Sequence, residues 1–194
     1  MSILKIYIIE DDLNRAEKMV TFFQELKGKI NRVLPDNQAG EFLKKKGIED
    51  INAQVLKTKS GKADAKHYDY FYNDDFEKML EEILVKDEER VFIVDLALNN
   101  EEREDFSRNR EFFNPETATK IIEYIGSQGK RERIILNTRL SDMRNKWENV
   151  VEIREGIKKN LQVSTIKYSV FGDQENDYEK DVQMYDTLNR ALKD

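Results

Sequence analysis

Residues 3–12, ILKIYIIEDD, decide the fold. Positions 3–9 are a short apolar run rich in β-formers and read as a buried strand. Acids follow at once, at Glu10, Asp11 and Asp12, with Asn14 close behind. A helical period then starts, with Leu13, Ala16, Val20, Phe23 and Leu26 near one face and Gly28 as the expected stop. The first unit is therefore strand, acidic turn, helix.

The same alternation continues along the chain. Residues 91–96, VFIVDL, read as a second buried strand ending near Asp95. A loop of about sixteen residues follows, long enough to suggest a functional or mobile segment. Asn114, Pro115 and Glu116 then open a helix with a cap residue, a first-position proline and an acid in the first turn. Ala118, Ile121, Ile122 and Ile125 form its apolar face. Residues 133–138, RIILNT, read as a third strand. Ser141 and Asp142 are placed to cap a helix that buries Met143, Trp147, Val150, Val151 and Ile157. Residues 163–171 read as a fourth strand. Residues 176–192 read as a last amphipathic helix through Tyr178, Val182, Tyr185, Leu188 and Leu192.

Segment 28–74 is less regular and reads as an insertion that hides one more strand, at 30–34 or at 68–72. A helix at 75–85 precedes the strand at 91. Alternating stretches around Ser60-Gly61 suggest a hairpin within 53–72. Lys44, Lys45, Lys46, Lys57, Lys59, Lys62 and Lys66 make the segment basic. A solvated surface is the simpler account of that charge, and a partner-binding patch is the alternative. The expectation is a single α/β domain over 1–194. Its sheet is doubly wound, mainly parallel and five-stranded, with helices on both faces and right-handed crossovers.

Bulk properties exclude several functions. Charged residues are 37% of the chain against roughly 25% in an average globular protein, yet the apolar periodicity argues for a folded domain with a charged surface. The net charge of −6 argues against a general nucleic-acid binder. There is no cysteine, so disulfides and thiolate metal sites are excluded, which fits a reducing, cytoplasmic setting. The single histidine, His67, cannot build a multi-histidine zinc site and lies in a polar stretch ill suited to a triad base. No apolar run approaches the ~20 residues of a membrane span, so no membrane insertion is expected. The N-terminal residues lack the basic start and small-residue cleavage site of a signal peptide.

In a parallel sheet, ligands bind beyond the carboxyl ends of the strands. That rule selects Glu10, Asp11 and Asp12 after the first strand, Asp95 after the second, Thr138 after the third and Lys167 on the fourth. Each has an ordinary reading: acids after a strand cap helices, Asp95 suits a turn, threonine suits a strand and lysine suits a surface. Taken jointly they form a phosphate-handling set. Crowded carboxylates raise one another's pKa, and a hard divalent cation such as Mg²⁺ relieves the conflict. A lysine and a hydroxyl hold phosphoryl oxygens, and an aspartate serves as nucleophile.

KIYIIEDD at 5–12, VFIVDLAL at 91–98, IILNT at 134–138 and Lys167 resemble, in that order, the receiver domain of two-component response regulators. The resemblance implies a flavodoxin-like strand order and phosphoryl acceptance on Asp95 from a histidine kinase or phosphotransfer protein. It implies Mg²⁺ held by Asp11, Asp95 and the backbone carbonyl of Ala97, with Glu10 acting mainly through metal-bound water. Thr138 and Lys167 would grip the phosphoryl group, and a switched surface would dock a downstream protein. No output domain is expected after the last helix. The chain departs from the family at Arg139, at Tyr168, at Thr165 and in the long loop 99–114. Two other readings therefore stand beside it. One is a protein-interaction module on a receiver fold without phosphorylation. The other is a Mg²⁺-dependent phosphoester hydrolase, although Ala97 stands where a dehalogenase-type phosphatase needs a second acid.

Overall fold

The computed structural model describes residues 2–33, 43–56, 74–95, 98, 116–128, 132–137, 162–166 and 177–192; for 27–33, 116, 162–166 and 177–183 it describes the backbone course alone. The opening apolar run forms β1 (Ser2–Ile9), and α1 (Leu13–Val33) follows it. The remaining elements are β2 (Ile48–Val55), α2 (Asp74–Leu84), β3 (Arg90–Asp95), α3 (Glu116–Ser127), β4 (Arg133–Asn137), β5 (Gln162–Ile166) and α4 (Asp177–Ala191). The strands lie side by side as β2-β1-β3-β4, with β5 along the outer edge of β4, and every neighbouring pair is parallel. None of the described helices is long and apolar enough to cross a membrane.

Alternation along the strands divides the core in two. Leu4, Ile6 and Ile8 of β1, Val91 and Ile93 of β3 and Ile135 of β4 face one layer. Met19, Phe22, Phe23 and Leu26 of α1 and Met184, Tyr185 and Leu188 of α4 close over them. Tyr7 and Ile9, Phe92 and Val94, and Ile134 and Leu136 face the other way, under Phe76, Leu80 and Ile83 of α2 and Ile121, Ile122 and Ile125 of α3. Both faces of β1 and β3 are therefore covered, which is why those strands are almost wholly apolar.

Three expectations are corrected. The helix does not stop at Gly28 but runs on to Val33. A lone interior glycine costs a helix only about 1 kcal/mol relative to alanine, and the buried row from Met19 to Leu26 anchors the turns before it. The strand sought at 30–34 or 68–72 is β2: residues 30–33 are the last turn of α1, and 68–72 lie outside the described residues. Residues 53–55, assigned to a hairpin, pair in parallel with β1, and Ser60 and Gly61 lie outside the described residues. So does the helix expected from Ser141.

The amino end of β3 carries a buried arginine. Arg90 Nε donates to Glu132 Oε2 at 2.9 Å, and Nη2 donates to the carbonyls of Leu84 (3.2 Å) and Lys86 (2.9 Å). Nη1 donates to the Ile83 carbonyl. These carbonyls belong to the last turn of α2 and the residues after it, where the regular helical donors run out. Arg90 thus caps α2 and ties it to β3 and to the start of β4.

Candidate functional site

The opposite end of β1 and β3 gathers the acids. Asp12 is the N-cap of α1: its Oδ1 accepts from Arg15 N–H at 3.1 Å, and its carbonyl accepts from Ala16 N–H at 2.9 Å. The capping reading of the acidic turn therefore holds for Asp12. Glu10 plays a different part, with Oε1 accepting from Asp12 N–H at 3.1 Å and fixing the bend between strand and helix.

Glu10, Asp11 and Asp95 are buried, and each offers a carboxylate oxygen such that all three lie within 4.8 Å of one another. The alternation explains the placement. Ile8 and Ile93 face the α1 layer, so Glu10 and Asp95, two residues further along, fall on the same side. Asn137 follows Ile135 by the same step and pairs in register with Asp95. Three adjacent strand ends thus deliver Glu10, Asp95 and Asn137 toward the start of α1.

Arg15 reaches into this cluster from the first turn of α1. Its Nη1 donates to Glu10 Oε1 at 3.3 Å and to Asp95 Oδ2 at 3.2 Å, and its Nη2 lies 3.1 Å from Glu10 Oε2. The side chain is only 4% exposed, so this is an interior ion network rather than a surface pair. The last contact is close but not aligned for a hydrogen bond, and both Nη2 and Nε are buried without a hydrogen-bond partner. Asn137 Nδ2 lies 3.5 Å from Glu10 Oε2, and Asn137 Oδ1 is likewise buried and unpartnered.

Burial pushes the Glu10 carboxyl well above the ordinary carboxylate range. The neighbouring Asp95 charge adds to the push, Arg15 opposes it, Asp11 adds again and the Asp12 N–H opposes. The donor set is all oxygen: three carboxylates and an amide carbonyl. It is the chemistry of a hard divalent cation, and the idle Asn137 oxygen is an independent sign that the cluster has donor capacity to spare.

Of the residues singled out from the sequence, Glu10, Asp11 and Asp95 come together. Thr138, Lys167 and Ala97 lie outside the described residues. Arg15 and Asn137 were not singled out. Arg15 had one signal, a cation in the first turn of a helix, where the macrodipole disfavours positive charge. Asn137 is the last residue of β4, one position before the Thr138 hydroxyl that fits phosphate chemistry by type. The sequence matches no protein-family model, and no curated protein or solved structure is significantly similar to it.

Proposed function

We propose that this chain is a receiver-type signalling domain that accepts a phosphoryl group on Asp95 with the help of Mg²⁺. One observation carries the reading: three buried carboxylates converge within 4.8 Å at the carboxyl ends of two adjacent parallel strands. The strand order β2-β1-β3-β4-β5, that of flavodoxin-like sheets, supports it. Such strand ends are where ligands of open parallel sheets sit.

In this reading, a carboxylate oxygen of Asp95 attacks the phosphorus of a phosphohistidine on a partner kinase or phosphotransfer protein. The new O–P bond forms as the P–N bond breaks, and the electron pair leaves with the imidazole nitrogen. Mg²⁺ would supply charge neutralisation for the transferred group, held by Glu10, Asp11, Asp95 and the Ala97 carbonyl. Glu10 shapes the turn that holds Asp11 in place. Thr138 and Lys167 are assigned the phosphoryl oxygens. The product carries more negative charge than Asp95, and its repulsion from Glu10 and Asp11 is the force available to shift a docking surface for a downstream protein.

A second reading has its own observation. Arg15 already bridges Glu10 and Asp95. A fixed internal cation of this kind suits a docking module that takes no phosphate. Intact mass after incubation with acetyl phosphate and Mg²⁺ separates the two. Wild type gaining one phosphoryl group, with Asp95→Asn gaining none, is the expected result. No gain in either chain leaves the docking module.

A further inference from the structure

We propose that Arg15 is the resident cation of the acid cluster, standing where a divalent ion binds, so that metal entry requires the guanidinium to leave. The inference rests on the metal-dependent reading above and adds its regulation: the site is closed by its own side chain until the ion competes.

The position is the first argument. Arg15 Nη1 lies 3.3 Å from an oxygen of Glu10 and 3.2 Å from an oxygen of Asp95. A metal held between the same two carboxylates needs to stand within about 2.0–2.6 Å of its oxygens. Nη1 already draws on these two oxygens, so a metal bound to the same pair has to displace it. The two cations therefore exclude each other at this point.

The quality of the contact is the second argument. Charge-assisted N–H···O bonds in settled ion pairs run at about 2.7–2.9 Å and are often bidentate. Here Nη1 serves both acids at 3.2–3.3 Å, Nη2 stands 3.1 Å from Glu10 Oε2 without the alignment of a hydrogen bond, and Nε finds no acceptor. Arg15 also puts a positive charge in the first turn of α1, against the helix dipole. A guanidinium selected only to lock the fold would use its donors. This one is held by two long hydrogen bonds from a single nitrogen and by charge, and is replaceable by a better-matched charge.

The third argument is the unused oxygen. Asn137 Oδ1 is buried beside Glu10 without a partner. Arg15 carries idle donors in the same cluster and does not satisfy it. A hard cation accepts amide carbonyl oxygens readily. Asn137 is thus assigned as an added oxygen ligand that comes into use when the ion replaces Arg15.

The test is calorimetric titration of the full chain with MnCl₂ and with MgCl₂, comparing wild type, Arg15→Met and Arg15→Met/Asp95→Asn. Arg15→Met is expected to bind either ion about tenfold more tightly than wild type or better, since a competing buried charge is gone. The gain is expected to vanish in the double variant. Equal or weaker binding by Arg15→Met overturns the inference, because Arg15 would then support the ion or stand apart from it. Should Arg15→Met fail to fold, the Arg15 Nε–H signal of wild type decides the matter by NMR. Loss of its protection from solvent exchange at saturating Mg²⁺ is the expected result. Retained protection, or no Mg²⁺ binding by wild type, overturns it. None of these readouts needs a phosphoryl donor. A wild type that takes phosphate with Arg15 still in place sinks this inference and spares the phosphoacceptor reading. An Arg15→Met chain that binds metal tightly but takes no phosphate does the reverse.

Discussion

Arg90 and Arg15 are both buried arginines facing carboxylates, one at each end of β3, and they are satisfied very differently. Arg90 spends Nε on Glu132 and its two terminal nitrogens on three backbone carbonyls. Arg15 spends one nitrogen on two acids and leaves Nε and Nη2 without hydrogen bonds. A guanidinium carries five N–H donors in a rigid fork, and burial penalises each one left idle. The first end of the sheet has the economy of a structural joint. The second tolerates idle donors on Arg15 and an unpartnered Asn137 oxygen. In the proposed reading, polar groups left unmatched in a well-packed interior mark the end of the sheet that binds an ion.

The largest effect expected is on the structural side. Arg90→Met leaves Glu132 buried without its partner and uncaps α2, and breaking a buried pair in this way costs about 3–5 kcal/mol. Urea unfolding is expected to show that loss with or without Mg²⁺. Arg15→Met is expected to cost less, about 2 kcal/mol in metal-free buffer, since fewer good hydrogen bonds are lost. Added Mg²⁺ is expected to restore it. If the two variants lose equal stability and Mg²⁺ restores neither, the contrast between the two ends is wrong.

The contrast was only half visible in the sequence. β1 and β3 were legible because both faces are covered, which leaves a near-continuous apolar run in each. β2 was not. It is an edge strand whose Glu49, Asp50, Asn52 and Gln54 are exposed, and its register slips: Ser2 pairs with Ile48 but Ile3 with Asp50, skipping Glu49. That irregularity breaks the two-residue period on which strand reading depends. Glu10, Asp11 and Asp95 were legible from the rule that sites lie at strand ends. Arg15 escaped that rule because it comes from a helix, one turn past the cap. Asn137 escaped because the hydroxyl of Thr138 fitted the expected chemistry better; the register of β4 against β3 puts Asn137 directly beside Asp95.

A mid-sized effect is expected from Glu10→Gln, with a sign that depends on pH. The folded chain holds the Glu10 proton above the ordinary carboxylate range, chiefly because the group is buried and secondly because Asp95 is near. Between that ordinary range and the raised value, the native state binds more proton than the unfolded chain. Stability is therefore full on the acid side and is lost as pH rises through the folded value. Glutamine is neutral throughout and lacks this fall. In metal-free buffer Glu10→Gln is expected to match wild type at the acid end and to exceed it by about 1 kcal/mol at neutral pH. Urea midpoints followed from acid to neutral pH check this. Parallel curves for the two chains would mean that the acid end of the sheet is already balanced, as the Arg90 end is.

The smallest effect expected tests whether the Arg90 end behaves as one unit. Tyr7 donates to Glu88 Oε1 at 2.5 Å, and the same oxygen lies 3.7 Å from Arg90 Nη1. The ring stacks on Phe92 with centroids 5.4 Å apart, a contact that phenylalanine preserves. Tyr7→Phe therefore removes the hydroxyl's hydrogen bonds with Glu88 and Gln54 and keeps the ring packing, and about 1 kcal/mol is expected to go. A cooperative joint makes that loss depend on its neighbour: with Arg90 replaced, Glu88 is no longer held, and the cost of Tyr7→Phe is expected to shrink in a double-mutant cycle. The same cycle run with Arg15→Met is expected to be additive, because no described contact links Tyr7 to the acid cluster. Coupling to Arg15 instead would show that the two ends of the sheet communicate along β1, and the division drawn between joint and site would have to give way.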